Sequence, residues 1–500
     1  MDGMTRLRLG LLLSVLATGA RELRAQGEPF RPEYHFTPQR NWMNDPNGLV
    51  WFGGTWHLFY QHNPFDDTWG HMSWGHAVSR DLVHWTHLPV AIPEADGIMA
   101  FSGSAVVDSE NTSGFGTRKR PALVAVYTGH REGRQDQRLA YSTDSGLTWT
   151  RLPEPVLDLD KADFRDPKVF WFNRGRHWVM AVSLPLEHRI LFYSSPDLRN
   201  WTRTGAFGPA GATGGAWECP DLFPALIEGG DTAWVLIVNI NPGGPVGGSG
   251  TQYFTGRFDG SAFVAEGDTA TRWADYGSDF YAAVSWNDVP DGRRVWIGWM
   301  SNWLYGQKVP TSPWRSAMTV PRTLALRRTA GGLRLVQRPV AEVARLARGL
   351  PATFVGGTVA EAAAWLQTQH ELPAALDVSL ALAGPWQTPV SLDVASGDSD
   401  RTTVTIDAAA GEISVDRRRS GLVAFHPAFA ARHIAPLRVT GDTVRVRLLL
   451  DASSLEVFAQ DGESVLTELM FPKPGPRRLI LSAEREGPRV AGMSVQTLGR

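Results

Sequence analysis

The feature that most constrains this fold is a short pattern that occurs three times, at intervals of about 60 residues. Each copy has a serine, an aspartate two positions later and a tryptophan at its end. The copies occupy residues 79–85, 142–149 and 195–201, with the aspartates 144 − 81 = 63 and 197 − 144 = 53 residues apart. Such a repeat in a β-rich chain is typical of propeller blades, each a four-stranded sheet. We expect each aspartate to accept backbone N–H bonds in a turn and each tryptophan to pack between blades. Three unrelated turn sequences are the alternative.

The chain from about residue 32 to 335 is predicted to be all-β. Short β-like runs alternate there with clusters of Gly, Pro, Asn and Asp, and no helical period of ten or more residues interrupts them. Examples of these runs are residues 55–60, 122–128, 178–184, 233–239 and 295–300. Since about 300 residues divided by about 60 per blade gives five, we predict a five-bladed β-propeller over 32–335.

The chain changes character near residue 352. Only two of its 20 tryptophans lie beyond that point, and alternating strands dominate, for example at 402–406, 443–450 and 454–458. This pattern predicts a separate antiparallel β-sandwich over 352–500. Residues 336–351 are interpreted as a linker that contains a short helix at 340–346.

The charge balance argues against a nucleic-acid partner. The chain has 49 basic and 51 acidic residues, a formal charge of −2, and no basic block that could neutralise a phosphate backbone. Its many tryptophans suit the apolar faces of sugar rings, although tryptophan is more often simply part of a core.

Residues 1–25 have the pattern of a signal peptide. Arg6 and Arg8 precede an apolar run at 9–17, and Ala20 and Ala25 are candidate cleavage positions. The apolar run is too short to span a bilayer, and the sole cysteine, Cys219, is too far downstream to carry a lipid anchor. A single cysteine also excludes an intramolecular disulfide. We therefore expect a secreted or periplasmic protein without a membrane anchor; an uncleaved cytoplasmic N-terminus is the alternative.

Three short segments concentrate carboxylic acids among aromatic residues, Gly and Pro. Residues 41–48 contain Asp45, residues 164–168 contain Asp166, and residues 217–221 contain Glu218. Both aspartates directly precede proline, which favours extended or turn geometry and would hold the carboxylate at a strand end. Cleavage of a glycosidic bond requires two carboxyl groups in unlike protonation states. Sequence spacing does not show that these groups meet, and each segment taken alone fits an ordinary turn.

In combination, the segments resemble glycoside hydrolase family 32, the β-fructofuranosidases that include invertases, levanases and inulinases. The resemblance begins with WMNDPNG at 42–48, RDP at 165–167 and ECP at 218–220. Further similar segments follow the family order at 74–82, 101–104, 276–281, 298–303, 313–319, 454–458, Glu463 and 471–472. The resemblance covers the chain from about residue 34 to its end, and it implies a five-bladed propeller followed by a β-sandwich.

The resemblance also implies a role for each site residue. Asp45 would be the nucleophile, Glu218 the general acid/base that is protonated at rest, and Asp166 the group that binds fructose hydroxyls and stabilises the transition state. Arg165 would orient Asp166 or keep it ionised, with an ordinary ion pair as the alternative. Expected substrate contacts are Asn44, Gln61, Trp69, Phe101, Ser102, Arg165 and Trp303. For the three aromatic residues, simple core packing is the competing interpretation.

The implied activity is retaining hydrolysis of fructan or sucrose, with no cofactor. Segments 299–303 and 313–319 are most similar to exo-acting levanases and inulinases. Three alternatives are a fructosyltransferase, a sialidase, since 142–149 fits the Asp-box turn, and a non-catalytic sugar-binding propeller. No metal is expected, because the histidines near the N-terminus lack metal-like spacing with acids; these are His71, His76, His84 and His87.

The leader interpretation predicts the start of the mature protein. Material recovered from outside the cytoplasm should begin at about residue 21 or 26, which N-terminal sequencing would reveal. Secreted protein that still begins at Met1 would contradict this interpretation.

Overall fold

The structure, a computed structural model, describes residues 27–267 and 270–500. The segment expected to be a signal peptide lies outside these residues. Across the described ranges, no helix is both long and apolar enough to cross a membrane. The chain folds into five sheets arranged as blades and two further sheets that pack as a sandwich.

Each blade is an antiparallel sheet of consecutive strands, so the predicted five-bladed propeller is confirmed. In the second blade a strand at Leu157–Lys161 also pairs with the third strand, and in the fifth blade a short strand at Ala317–Met318 lies beside the second. The strands of the first two blades are β1 (Asn41–Phe52), β2 (Thr55–Asn63), β3 (Ser73–Ser79), β4 (Trp85–Ile92), β5 (Met99–Asp108), β6 (Ala122–Arg131), β7 (Arg134–Ser142), β8 (Thr150–Arg151) and β9 (Leu157–Lys161). Those of the other three are β10 (Arg165–Phe172), β11 (His177–Leu184), β12 (Arg189–Ser195), β13 (Thr202–Phe207), β14 (Ala216–Leu226), β15 (Thr232–Asn241), β16 (Gly250–Phe258), β17 (Phe263–Ala265), β18 (Tyr281–Ser285), β19 (Arg294–Met300), β20 (Trp314–Arg315), β21 (Ala317–Met318), β22 (Arg322–Thr329) and β23 (Gly332–Pro339).

The ring of blades is closed by a strand that crosses from the fifth blade to the first. The short strand β20 pairs in parallel with β1, and the Asn41 N–H donates to the Pro313 carbonyl at 2.6 Å. The first strands of the blades (β1, β5, β10, β14 and β18) contact one another in a closed ring and therefore surround the central channel.

The threefold pattern forms the turn between the third and fourth strands of blades one to three. Its aspartates accept backbone N–H bonds from His84, Thr148 and Asn200 at 2.8–2.9 Å. Its tryptophan indoles donate to carbonyls within the same turn. Trp85 stacks on Trp286 of the fifth blade, and Trp149 meets Phe59 of the first edge-on. The repeat therefore closes the turn in all three copies, and in the first two its tryptophan also joins neighbouring blades.

The C-terminal domain is a sandwich of two antiparallel sheets, in agreement with the sequence pattern. One sheet contains β24 (Ala347–Phe354), β25 (Gly357–Thr358), β26 (Leu376–Ala383), β31 (Thr443–Leu450), β32 (Ser454–Ala459), β33 (Ser464–Leu469) and β35 (Arg489–Leu498). The other contains β27 (Val390–Ser396), β28 (Asp400–Asp407), β29 (Glu412–Arg419), β30 (Arg432–Pro436) and β34 (Arg477–Ala483). Both inner faces are aliphatic and form one core.

The helix α1 (Val359–Gln367) was not predicted, although the sequence carried a signal for it. Thr358 and Glu361 form a capping box in which each side chain accepts from the other residue's backbone N–H. The face with Val359, Ala362 and Leu366 packs into the sandwich core.

The connection between the domains differs by a few residues from the expected linker at 336–351. β23 continues to Pro339 because its pairing with β22 extends to Arg322. A 3₁₀ helix at Ala341–Leu346 follows, and the first sandwich strand already begins at Ala347. The part without strand structure is therefore shorter than the sequence indicated.

The two domains are joined by buried ion pairs. Arg322 of the propeller contacts Glu456 of the sandwich and Asp275, and Arg417 of the sandwich contacts Asp279 of the propeller, all with side chains at most 1% exposed. Loss of one partner would leave a buried charge without its counterpart, which is strongly destabilising. These pairs therefore hold the sandwich in one position against the propeller.

His35 belongs to the same interface. Its Nδ1 contacts Asp451 and its Nε2 contacts Glu456, each at 2.8 Å, inside the core. Burial alone lowers the pKa of this imidazole, but the two carboxylates outweigh burial and raise the pKa to about 9. The imidazolium thus lies between two buried carboxylates and offsets part of their charge, while Arg322 also pairs with Glu456.

This raised pKa predicts a specific pH dependence of stability. The contribution of His35 should be complete below pH 6.5, its ordinary pKa, and should be lost as the pH rises through about 9. We expect the wild type to lose on the order of 3 kcal/mol of unfolding free energy over that window. In urea unfolding, His35→Gln should have a lower free energy of unfolding at pH 6.5 than the wild type and should lose much less of it as the pH rises to about 9. His84→Gln, at an exposed histidine, is the control, and parallel curves for wild type and His35→Gln would contradict the assignment.

Candidate active site

The first strand of every blade carries a β-bulge at the same depth in the channel. In each case two consecutive residues oppose one residue of the second strand. The bulged pairs are Asn44 with Asp45, Phe101 with Ser102, Asp166 with Pro167, Cys219 with Pro220, and Ala282 with Ala283. A bulge bends the strand and re-aims its side chains. Asp45 therefore lies inside its strand, where a strand end was expected, whereas Asp166 is the second residue of β10 and does lie near a strand end.

Local sequence favours these bulges. Asp166 and Cys219 have φ of 66° and 43°, in the left-handed region, which aspartate tolerates better than most residues. Proline follows both of them, and it lacks the N–H that a regular ladder position would donate. The Asp-Pro and Cys-Pro pairs are thus suited to the unpaired positions of a bulge.

The bulges surround a cavity of about 310 Å³. All ten residues selected from the sequence line it, namely Asn44, Asp45, Gln61, Trp69, Phe101, Ser102, Arg165, Asp166, Glu218 and Trp303. His130 and Gln135 line it as well and were not predicted. Residues from all five blades meet here although up to 259 positions separate them in sequence, since 303 − 44 = 259.

Asp45 is held by three hydrogen-bond donors. Ser102 Oγ donates to Oδ2 at 2.8 Å, Cys219 Sγ lies 3.5 Å from the same oxygen, and Asn44 Nδ2 donates to Oδ1 at 2.9 Å. The Trp42 indole donates to the side-chain oxygen Oδ1 of Asn44, which turns the Nδ2 of the same amide toward Asp45. Burial, together with the nearby Glu218, raises the pKa of Asp45 in spite of these donors. The donors fix the direction of the carboxylate.

Asp166 lies deeper and shares a donor with Asp45. Its Oδ2 accepts the Cys219 N–H at 2.9 Å, and the Cys219 thiol lies 3.5 Å from it. Its own N–H donates to Thr128 Oγ1 at 2.9 Å. Burial and the two neighbouring carboxylates raise the pKa of Asp166, while Arg165 opposes them.

Glu218 accepts hydrogen bonds from two sides. Arg165 Nε donates to Oε1 at 3.0 Å and the Tyr281 hydroxyl donates to Oε2 at 2.5 Å. The remaining bonds of the Arg165 side chain run to Gln135 and Asp163. Arg165 therefore orients Glu218, rather than Asp166 as the sequence suggested. Arg165, Glu218 and Tyr281 each directly precede the bulge of their blade, so successive blades present them to one another.

The walls of the cavity are aromatic. Phe101 stacks on His130 with ring centroids 4.4 Å apart, and Trp69 meets Phe101 edge-on at 6.0 Å. Trp303 lies across the cavity against Trp299 at 4.9 Å. Trp69 remains 38% exposed, so it forms part of the mouth rather than of a core.

A buried ion pair closes the cavity from below. Lys168 and Asp221 lie 3.1 Å apart, and the Lys168 ammonium also donates to the Ser285 carbonyl at 2.7 Å. The gap between this floor and the bulges measures about 10 Å³, too small for a sugar. The cavity is therefore open at one end.

Three residues of the site were not predicted: Tyr281, His130 and Gln135. Tyr281 ends the segment 276–281 that resembled the family, so that motif could have revealed it. His130 and Gln135 flank the β6–β7 turn without any motif, and only the fold brings them to the site.

Among the cavity-lining residues described, Arg165 is the one guanidinium, which does not fit the arginine cluster that a sialidase needs. No group of three or more His, Cys, Asp or Glu within the described ranges is arranged to hold a metal ion.

The chain is similar to known proteins over most of its length. The family description "Glycosyl hydrolases family 32 N-terminal domain" matches residues 35–339, and its C-terminal counterpart matches 357–497. A levanase of Bacillus subtilis is 45% identical over 98% of this chain and 73% of its own length. An extracellular exo-inulinase of Aspergillus awamori is 41% identical over 89% of this chain and 90% of its own length.

Solved structures show the same relationship. The crystal structure of exo-inulinase from Aspergillus awamori superimposes with a TM-score of 0.87 at 36% identity, covering 94% of this chain and 99% of that one. The β-fructofuranosidase from Schwanniomyces occidentalis, complexed with fructosyl-erythritol, gives 0.85 at 31% identity over 94% and 98%.

The environment of Cys219 predicts an unreactive thiol. Burial and three nearby carboxylates hold its pKa well above the usual value, so the nucleophilic thiolate does not form near neutral pH. Native protein should resist iodoacetamide at pH 8, whereas denatured protein should take up one label per chain, as read by intact mass. Rapid labelling of the native protein would show that the thiol is accessible and less perturbed than the structure indicates.

Proposed function

The chain belongs to glycoside hydrolase family 32, and we propose that it releases fructose from the ends of fructan chains and from sucrose with retention of configuration. That it is a glycoside hydrolase follows from the family and from the relatives reported above. The observation that carries the more specific proposal is the convergence of Asp45, Asp166 and Glu218 on one closed-ended cavity.

We assign the first chemical step to Asp45 and Glu218. The Asp45 carboxylate attacks the anomeric carbon of the fructosyl unit, and the bond from that carbon to the glycosidic oxygen breaks. Glu218 transfers its proton to this oxygen, so that the leaving sugar departs as a neutral alcohol. In the second step Glu218 takes a proton from water, which attacks the same carbon and releases Asp45. The donors from Asn44 and Ser102 support Asp45 in this role, because they aim its carboxylate.

Asp166 needs no proton transfer in this scheme. Its carboxylate accepts hydrogen bonds from ring hydroxyls, and these bonds strengthen as positive charge develops on the ring. Arg165 and Tyr281 hold the Glu218 carboxyl in place through both steps, which is the function their hydrogen bonds support.

A terminal rather than an internal fructose is the better fit for this cavity. The Lys168–Asp221 floor stops a chain from passing through, so the sugar that enters must be the last one. The aromatic rim at Trp69 and Trp303 would contact the next unit outward. Relatives named levanase and exo-inulinase agree with attack on fructan chains.

Export is part of the same proposal. A polymer outside the cell requires a secreted enzyme, and the relatives from Aspergillus are named as extracellular. The leader-like pattern at residues 1–25 supplies the route by which we infer that the chain leaves the cytoplasm.

Product analysis tests the activity directly. Incubation with sucrose, levan, inulin and a sialoside should release free fructose from the first three and leave the fourth intact. Early products from levan should be fructose alone, without short oligosaccharides. Accumulation of longer fructosyl chains from sucrose would identify a fructosyltransferase, and release of sialic acid would overturn the proposal.

The nucleophile assignment predicts a loss of turnover without a loss of fold. Asp45→Asn keeps the shape and most hydrogen bonds of the side chain but cannot form the glycosyl ester, so kcat on sucrose should fall by roughly 10⁴ or more. The melting temperature should stay close to that of wild type. The control is Asp67→Asn, at an acid beside the same blade that bonds Arg315 and does not line the cavity. Near-normal activity of Asp45→Asn would refute the assignment.

The acid/base assignment predicts a dependence on the leaving group. Glu218→Ala should slow sucrose cleavage by roughly 10²–10⁴, because the glycosyloxy group leaves poorly without a proton. With an aryl fructoside that has an acidic phenol, the same variant should show a much smaller decrease in the rate of the first step. Pre-steady-state release of the phenol measures that step. Equal losses on both substrates would instead give Glu218 a role in binding.

A further inference from the structure

The central channel has a second mouth on the side opposite the active site. The inner strands run from the bulges toward this mouth, and Phe172 lies six residues beyond Asp166 on β10, about 20 Å away at the usual strand rise. A cavity of about 600 Å³ opens there, roughly twice the volume of the active-site cavity. The Lys168–Asp221 pair and Asn287, which bonds the carbonyls of Ala105 and Val169, separate the two.

This lower cavity is lined by flat aromatic rings. Trp171 and Trp234 are half-buried and line it together with Phe170 and Phe172. Trp171 lies edge-on to Trp178 at 5.0 Å, and Trp234 packs against Phe170 at 5.9 Å. Aromatic rings held in this way by neighbouring rings offer rigid apolar faces at little cost in conformational entropy.

Charged groups with unused hydrogen-bonding capacity complete the lining. Asp288 is exposed and accepts one hydrogen bond, from the Val107 N–H to Oδ2 at 3.0 Å. Arg294 donates from Nη1 to the Trp286 carbonyl at 3.3 Å, and its Nε is buried with no partner among the described residues. The charged residues of the lining are Glu110, Arg174, Asp288 and Arg294, two acidic and two basic. This balance favours a neutral ligand over an ionic one.

We propose that the lower cavity is a second carbohydrate-binding site, which takes a short segment of a neutral fructan chain. Aromatic faces that meet the C–H faces of sugar rings, with a carboxylate and a guanidinium for the hydroxyls, form the kind of concave, mostly apolar site with few polar groups that binds small ligands. That the sugar is fructan rests on the proposed function, whereas the binding of a neutral sugar rests on the cavity itself.

A second site would keep the enzyme on its polymer. A chain bound at the lower cavity raises the local concentration of chain ends near the active site, as in any bivalent interaction. Sucrose is too small to occupy both mouths, so its hydrolysis should not depend on the lower cavity. The difference between polymer and sucrose therefore isolates the contribution of the second site.

Binding stoichiometry tests the site. Calorimetric titration of Asp45→Asn, which cannot turn over its ligand, with a levan-derived oligosaccharide should show two sites per chain. Asp45→Asn combined with Asp288→Lys, which fills the exposed mouth with a long cation, should show one. Asp45→Asn combined with Trp234→Leu, which keeps an apolar side chain but removes the flat ring, should also show one. The matched control is Asp45→Asn combined with Asp291→Asn, three residues along the same loop from Asp288 and outside the lining, which should keep two sites.

Kinetics with intact Asp45 give the second readout. Asp288→Lys should raise KM for levan about 3- to 10-fold and leave both kcat and all sucrose kinetics unchanged. A single site in Asp45→Asn, two sites in both double variants, or a KM change that is equal for levan and sucrose would overturn the inference. Failure of wild-type protein to release fructose would instead refute the proposed function, so the two failures are distinguishable.

Discussion

The structure depends on one geometric constraint, the bulge at the same depth in the first strand of each blade. A regular strand would alternate its side chains between the two faces of the sheet and bring few of them into the channel. The bulge places two consecutive residues against one and re-aims them. Repetition of this irregularity links side chains of four blades in one chain of contacts, from Ser102 to Asp45, from Asp45 to Cys219 and from Cys219 to Asp166. The residues that directly precede the bulges also meet across neighbouring blades, and Glu218 therefore lies between Arg165 and Tyr281.

The electrostatics of the site follow from this crowding. Three carboxyl groups share a partly buried space with one guanidinium, and burial together with mutual repulsion raises the pKa of Asp45 and Asp166. Groups that interact this strongly titrate together, so full ionisation of Asp45 and Asp166 is opposed. Hydrolysis with retention requires unlike protonation states in the two groups that act, one ionised to attack and one protonated to assist departure.

The sequence predicted the architecture better than the contacts. The repeated turn revealed the blades because its aspartate and tryptophan have local roles that the chain must repeat in every copy. The ten site residues could be selected because motifs carried them, and all line one cavity. The partner of Arg165 could not be read from the sequence, since Asp166 is its neighbour in the chain whereas Glu218 is its neighbour in space. His130 and Gln135 belong to no motif, so only the fold identifies them. The capping box of Thr358 and Glu361 was a signal for a helix, but the helix has nine residues and is too short to give a clear helical periodicity in the sequence.

In the proposed mechanism, Asp45 forms a covalent bond to fructose while Glu218 serves as acid and base. The most direct measurement uses Glu218→Ala with an aryl fructoside whose phenol leaves without protonation. The reaction is quenched in acid, and its peptides are analysed by mass spectrometry. We expect a hexosyl adduct on the peptide that contains Asp45, which disappears when azide is added and yields a β-fructosyl azide. An adduct on another residue, or a fructosyl azide of inverted configuration, would contradict it.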